Sequence, residues 1–289
     1  MRPIVAILVI VLAAVGVFGQ TQQQSAPTLK IVTEDPNLPS ELYYGNLKVK
    51  PLRLRPGTNK VITIDDSDFF VQQHYIDFLG RMPEPSGQAA WLNILNNCAP
   101  GDTTCDRIEV SSGFFRSPEF QERGYFAYRF YVTALGRKPN YAEFIPDLRR
   151  VSGFQTPEQL EASRAALAND FTLRADFRQH YDSITDPAAY VNALEARAGV
   201  TLSNKAALIA DLSAGRTTRA KVLRAIAESP EVFQKYFTQA FVVMQYFGYL
   251  RRDPDAFYLD WIRILNEDPQ NYRHMINGFV NSQEYRNRF

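Results

Sequence analysis

Two kinds of apolar pattern run along the chain. In residues 47 to 64, LKVKPLRLRPGTNKVITI, apolar and basic positions alternate around the turn signal PGTN, which is typical of a β-hairpin. From Asp66 onward the apolar positions follow helical spacing. The pattern predicts a mainly α-helical protein preceded by a short β-hairpin over 47–65. Residues 20–46 are polar, contain proline and lack periodicity, which predicts a flexible linker.

The first nineteen residues form a separate apolar segment. MRPIVAILVIVLAAVGVFG carries one positive charge and an apolar run from Ile4 to Phe18, followed by the polar stretch QTQQQS. This is typical of a secretory signal peptide cleaved near Gly19. A retained transmembrane anchor is the alternative, but the run is shorter than the roughly 20 residues that a span needs. We expect an exported protein, periplasmic or extracellular, with no membrane span after cleavage.

The helical part repeats internally. HYIDFLGRMPEPSGQAAWLNIL at 74–95 aligns with QYFGYLRRDPDAFYLDWIRIL at 245–265. The matching positions in the well-aligned copies are Leu79, Gly80, Arg81, Pro83 and Trp91, then Gly136, Arg137 and Pro139, then Arg252, Pro254 and Trp261. A degenerate copy keeps Leu194 and Arg197, so the arginines stand at 81, 137, 197 and 252. The sequence therefore predicts degenerate helix-turn-helix repeats of about 55 residues.

A second motif follows the same period. GFFRSPEFQER at 113–123 returns as GFVNSQEYRNR at 278–288, and ESPEVF contains a third copy. Serine is a preferred N-cap, and an acidic residue in the first turn complements the helix dipole. The residues assigned to this role are Ser117, Glu119, Ser229, Glu231, Ser282 and Glu284, flanked by the predicted core residues Phe114, Phe120, Phe279 and Tyr285. In one copy Arg174 replaces the serine while the apolar frame survives, which favours an architectural role over catalysis.

The composition indicates how large a core the chain can form, and the net charge argues against one class of partner. The chain of 289 residues is 45% hydrophobic, enough for one large or two small cores. We expect two helical domains of two repeats each, 66–180 and 181–289. Without Arg2 of the leader, 31 basic side chains face 31 acidic ones, a net charge of zero. This balance argues against a nucleic-acid partner.

The two cysteines lie in one polar loop, NNCAPGDTTCDR. In an exported protein, Cys98 and Cys105 predict a local disulfide. A metal site is the alternative, but the neighbouring sequence has no second Cys or His pair at ligand spacing.

Other polar and aromatic residues are candidate functional residues, and each group also has a purely structural interpretation. His74, His180 and His274 are packing or surface residues, or else metal ligands or catalytic groups. Asp65, Asp66 and Asp68 cap a helix or bind calcium, although they lack the glycine and spacing of a calcium loop. Trp91 and Trp261 are core residues or sugar-stacking platforms. We assign no catalytic residue and no metal ligand, and we expect no cofactor.

The motif Leu79-Gly80-Arg81-x-Pro83-x3-Gly87-x3-Trp91-x3-Leu95, followed by Phe114-x-x-Ser117-Pro118-Glu119-Phe120, resembles a known family. It is the domain of unknown function 4214 family, which is similar to the all-helical linker domains of phycobilisomes. The likeness is strong over 66–123 and 240–289, weaker over 124–180 and weakest over 181–239, and these segments are the four predicted repeats. It implies a helical module of secreted and cell-surface bacterial proteins, with no established catalytic residues. The copy RKPNYAE lacks the glycine that the family has in this turn.

The sequence thus predicts a non-catalytic helical module for protein–protein interaction or structural assembly, at the cell envelope or outside the cell. Its expected partner is a protein or an envelope component, and self-association is included. A carbohydrate-binding or cell-wall-associated module is the alternative, and a secreted hydrolase ranks third. A phycobilin-linker activity is disfavoured because export would remove the chain from the cytoplasm.

Overall fold

The computed structural model describes residues 29–32, 41–44, 47–49, 54–55, 57–153 and 156–289. The predicted signal peptide at 1–19 lies outside the described residues. Among those that are described, no helix has the length and apolar character needed to cross a bilayer. The chain is mainly helical, as the sequence predicts.

The strands differ from the predicted hairpin. Strands β1 (Leu29–Val32), β2 (Glu41–Tyr44) and β3 (Leu47–Val49) form an antiparallel sheet in that order. Two of them lie in the segment predicted as a flexible linker. Their sequences, LKIV and ELYY, are rich in β-branched and aromatic residues, which suits strand geometry. The start of the predicted 47–65 hairpin thus pairs backward with β2. Across the turn signal, the described residues form one isolated bridge, Leu54 to Val61.

Helices fill the rest of the described chain. The first predicted repeat contains α1 (Ser67–Leu79), α2 (Pro85–Asn96), α3 (Arg107–Arg116) and α4 (Pro118–Glu122). The second contains α5 (Gly124–Leu135), α6 (Tyr141–Val151), α7 (Pro157–Leu173) and α8 (Ala175–Tyr181). The third contains α9 (Pro187–Ala198), α10 (Lys205–Ser213) and α11 (Arg219–Ala227), and α12 (Pro230–Gln245) leads into the fourth. There a π-helix (Tyr246–Leu250) precedes α13 (Tyr258–Glu267), a 3-10 turn (Pro269–Asn271), α14 (Tyr272–Asn281) and α15 (Gln283–Arg286).

The long helices of the predicted repeats end in one backbone geometry. Gly80 and Gly136, at the ends of α1 and α5, adopt the left-handed conformation with φ of 65° and 66°. Glycine adopts it without a Cβ clash, which explains its use at this helix end. The corresponding position after the π-helix is Arg251, which has a φ of 52° and is the one non-glycine residue with positive φ in the described ranges.

Helices at corresponding positions of different predicted repeats pack together. In the first and fourth predicted repeats, α1 contacts the π-helix and α3 contacts α14. In the second and third, α5 contacts α9 and α7 contacts α11. Helix α5 also contacts α12, and every one of its residues is buried, so it lies at the centre of the molecule.

This pairing differs from the predicted division into domains 66–180 and 181–289. The partners α5 and α9 fall on opposite sides of that boundary, as do α1 and the π-helix. Buried side chains from all four predicted repeats, including Phe70, Tyr128, Leu223 and Tyr249, belong to one hydrophobic cluster. The physical reason is that each central helix buries its apolar surface against a distant repeat as well as against its neighbours in sequence.

Candidate functional site

The recurring arginines occupy a recurring turn. Nη1 of Arg81 donates to the carbonyl of the next residue at 3.0 Å, and Arg137 and Arg252 make the same bond at 3.2 and 3.0 Å. Each guanidinium also lies over a tyrosine six positions earlier, at 4.8, 5.8 and 5.6 Å from the ring centroid in the same order. These contacts hold the arginine side chain against the helix that it follows.

The same arginines bind the acidic residue of the second motif. Nε and Nη2 of Arg81 both donate to the carboxylate of Glu119 at 2.6 Å. Arg252 makes the same two-pronged contact with Glu284, at 2.6 and 3.0 Å, and this hydrogen bonding lowers the pKa of Glu284. Such bidentate pairs have high geometric specificity. In the first and fourth predicted repeats the two motifs are therefore halves of one contact, which the repeat pattern alone did not reveal.

In the second predicted repeat the arginine partner changes. Arg137 binds Glu143 through two bonds of 2.8 Å, while Asp176, the counterpart of Glu119, lies 3.7 Å away. Arg174, which replaces the serine, pairs with the buried Asp147 at 2.6 and 2.8 Å.

The degenerate third repeat uses neither arrangement. Arg197 approaches Nδ1 of His180 at 3.4 Å. Glu231 accepts from the backbone N–H of Ser203 at 2.9 Å, and backbone hydrogen bonding lowers its pKa to about 2. Arg197 thus joins the end of α9 to the end of α8, and Glu231 joins the start of α12 to the loop between α9 and α10.

The serines of the second motif are N-caps. Ser117 accepts from the N–H of Phe120 at 3.2 Å, Ser229 from Val232 at 3.3 Å, and Ser282 from Tyr285 at 3.1 Å. The flanking aromatic residues Phe114, Phe120, Phe279 and Tyr285 are all buried. Around the arginine turn, Leu79 and Pro139 are buried, whereas Pro83 and Pro254 are half-buried.

A buried carboxylate joins the first and fourth predicted repeats. Oδ1 of Asp77 accepts from Arg251 at 3.0 and 3.2 Å and from Arg288 at 2.8 Å. Burial opposes the ionisation of Asp77, but the two guanidiniums outweigh it and hold its pKa below the usual range. The cluster explains why an arginine stands at a left-handed position where Gly80 and Gly136 stand in the other copies, since a glycine there would remove one of the two cations. Nothing in the repeat pattern pointed to Asp77.

His74 is a buried packing residue. Its Nδ1 lies 2.8 Å from the carbonyl oxygen of Phe70, and its Nε2 lies 3.2 Å from the hydroxyl of Tyr249, which also contacts Ser111. Burial lowers the pKa of His74 to about 4. The three histidines do not come together, because His180 lies beside Arg197 and His274 lies beside Trp261.

The candidate calcium residues are engaged by other groups of the chain, and Arg55 contacts both Asp66 and Asp68. Asp65 binds Arg286 with one bond of 3.0 Å, Asp68 binds Arg55 at 2.6 Å, and Asp66 accepts from the N–H of Thr63 at 2.8 Å. Asp66 occupies the N-cap position of α1, but its carboxylate caps the preceding turn instead of the helix.

The two cysteines lie at disulfide distance, with their sulfurs 2.07 Å apart. Asp102 is close to both sulfurs, yet it accepts from the N–H and hydroxyl of Thr104 at 2.8 and 2.7 Å. Sulfurs joined in a disulfide do not act as thiolate ligands, so this grouping is a cross-linked loop.

The two tryptophans are half-buried in different surroundings. Trp91 stacks on Phe114, with ring centroids 4.9 Å apart and an interplanar angle of 21°, and it lies against Gly113. Trp261 lies beside His274 at 5.9 Å. Part of each ring is therefore packed against neighbouring residues, and part of it is exposed to solvent.

Residues 59–124 match a protein family described as "Domain of unknown function (DUF4214)". The matched segment contains the arginine turn at Arg81 and the helix start at Ser117, which are the two halves of the contact described above. No curated protein and no solved structure shows significant similarity to the chain. On this evidence residues 59–124 are a domain of the DUF4214 family.

Proposed function

We propose that this protein is an exported, non-catalytic helical module for protein–protein interaction or structural assembly at the cell envelope or outside the cell. The observation that carries the proposal is the recurring pair between an arginine turn and an acidic helix start. Arg81 with Glu119 and Arg252 with Glu284 use nearly the same bonds. Charged residues that pair with each other stabilise the fold, and the repetition of this pair fits an assembly module.

The finer fold assignment belongs to the same proposal. We infer four degenerate repeats of the phycobilisome-linker-like kind, paired first with fourth and second with third. Three observations support it: the shared turn at Arg81, Arg137 and Arg252, the shared left-handed helix end, and the contacts between helices at corresponding positions. Two of the serine caps, Ser117 and Ser282, also bond back to the carbonyl of the phenylalanine three residues earlier.

Exposed apolar side chains near the arginine turns support a protein partner. Met82 follows Arg81 directly and is exposed. In the fourth repeat Phe257 is 71% exposed and Leu259 is 58% exposed, near the start of α13. Apolar side chains on a water-facing turn contribute to stability mainly when a partner covers them.

Site-specific photo-crosslinking in cells tests this proposal. A benzophenone amino acid at Phe257 is expected to capture a reproducible partner or a second copy of the chain. The matched control is the same amino acid at Glu267, a highly exposed polar position on α13. Recovery of only the free monomer from both positions, in envelope and medium fractions alike, would contradict an assembly role. N-terminal sequencing of the recovered protein tests export, because cleavage near Gly19 is expected.

Carbohydrate binding is the second candidate, and the partial exposure of both tryptophans favours it. Trp261 is the better candidate, since Phe114 covers one face of Trp91. Glycan arrays with wild type and Trp261→Leu test this role, and binding that persists in the variant would refute the use of Trp261.

A further inference from the structure

A cavity of about 330 Å³ opens between α3, α12, α13 and α14, beside the 3-10 turn. Its apolar walls are Phe237, Phe241, Leu265, Pro269 and Tyr272. Volume and lining are those of a small-molecule site, since such pockets are mainly apolar and hold a few placed polar groups.

The walls of the cavity are fixed by contacts behind them. Phe115 packs edge-on against Phe237 and Phe241, with ring centroids 5.4 and 4.9 Å apart. The hydroxyl of Tyr272 donates to Glu109 of α3 at 2.6 Å, which fixes the third aromatic ring. A ligand would therefore enter a formed space and would not have to order its walls.

Two polar side chains of α3 line this space. Ser112 is only 2% exposed, and its hydroxyl makes no hydrogen bond with any residue in the described part of the chain. Because this hydroxyl lines the cavity, it is available to donate a hydrogen bond to a polar ligand atom or to accept one from it.

Arg116 lies one helical turn beyond Ser112, about 6 Å further along the axis, and its side chain is 46% exposed. Its guanidinium lies 5.4 Å from the ring centroid of Tyr272, and Nη2 bonds to Glu109. The other N–H groups of Arg116 make no hydrogen bond within the described ranges. An arginine fork with free donors matches a carboxylate.

We propose that this cavity binds a hydroxylated aromatic carboxylate. The carboxylate bonds to Arg116, the ring lies between the aromatic walls, and the phenolic hydroxyl bonds to Ser112. The volume is that of about eleven water molecules at roughly 30 Å³ each, enough for one ring with a short side chain. Ser112 and Arg116 both line the cavity, so one ligand with two polar groups can contact both.

Calorimetric titration of the full chain tests the proposal with three probes. They are para-hydroxyphenylpropanoate, its primary amide, which lacks the charge, and phenylpropanoate, which lacks the hydroxyl. The hydroxylated acid is expected to bind saturably, at least tenfold tighter than the amide and severalfold tighter than phenylpropanoate.

Variants assign each contact. Arg116→Gln is expected to abolish the preference for the acid over the amide, and Ser112→Ala to abolish the preference for the hydroxylated acid. Arg263→Gln is the matched control, because Arg263 is an exposed arginine that does not line the cavity and pairs with Glu267 four residues later. Thr238→Trp places a large ring in the cavity and is expected to eliminate binding.

Several results would overturn the proposal. One is the failure of all three probes to bind the wild-type chain, and another is equal affinity for acid and amide. Both use the unmutated protein, so a variant that fails to fold cannot rescue the proposal. Undiminished binding to a folded Thr238→Trp variant would also overturn it, because the probe would then occupy another place.

Discussion

Replacing Arg81 with methionine removes the polar contacts of the arginine turn and keeps most of the side-chain volume. Arg81 is 10% exposed, and its partner Glu119 is 21% exposed. The substitution deletes two bonds to Glu119, one to Glu84 and one to the carbonyl of Met82. Glu119 keeps one bond from Arg123 at 3.0 Å, so its charge is not left without a cation.

The expected cost of Arg81→Met is about 2–3 kcal/mol of unfolding free energy. This lies below the roughly 3–5 kcal/mol for breaking a fully buried pair, because Arg123 remains. The equivalent Arg252→Met should cost only about 0.5–1 kcal/mol, since Arg252 and its partner Glu284 are 39% and 50% exposed and solvent screens the pair.

Urea denaturation, followed by far-UV circular dichroism, measures the unfolding free energy of each variant. The control is Arg263→Met, whose pair with Glu267 is exposed to 61% and 66% and should contribute less than about 0.5 kcal/mol. Equal losses for all three variants would refute the assignment of the Arg81 pair as a structural tie. So would zero coupling between Arg81→Met and Glu119→Gln in a double-mutant cycle.

Three further predictions concern the buried core. His74 has a pKa of about 4 in the fold against about 6.5 when unfolded, so the unfolded state binds the proton first as the pH falls. Stability should therefore drop by about 3 kcal/mol between pH 6.5 and 4, and urea titrations of His74→Gln should lack this slope. Asp77→Asn should cost about 3 kcal/mol in the same assay because two guanidiniums lose their counter-charge, whereas Asp182→Asn, at an exposed pair, should be nearly neutral. Gly248→Ala should lower the melting temperature, since its Cβ would lie 2.6 Å from a ring carbon of Phe78, whereas Gly278→Ala, with no atom within 4 Å, should raise it. A Gly248→Ala protein as stable as wild type would contradict the close packing of the π-helix on α1.

Local signals in the sequence were enough to place many helix ends. Ser117, Ser229 and Ser282 begin helices because a serine hydroxyl satisfies an N–H that the helix itself leaves unpaired. Gly80 and Gly136 end helices because they reach the left-handed conformation without a clash. These are interactions between residues a few positions apart, so a short window of sequence contains both partners.

The strands and the domain boundary were not predictable in the same way. Pairing of Leu47–Val49 with Glu41–Tyr44 competes with pairing across the PGTN turn, and alternation of residue types alone does not choose between them. The predicted domain boundary between residues 180 and 181 grouped repeats that are adjacent in the sequence. In the structure, α5 and α9 pack together across that boundary. Which repeat pairs with which depends on the shapes of whole helix faces.

The sequence by itself determined that the chain is mainly helical, that its motifs recur, and that residues 59–124 match a known family. These properties rest on periodicity and on local backbone preferences. Only the tertiary structure decided that Arg81 binds Glu119, that Asp77 joins two distant arginines, and that Ser112 and Arg116 line an open cavity. The physical reason is that such contacts join residues from 38 to 211 positions apart or leave space between four helices, and a one-dimensional pattern does not specify these distances.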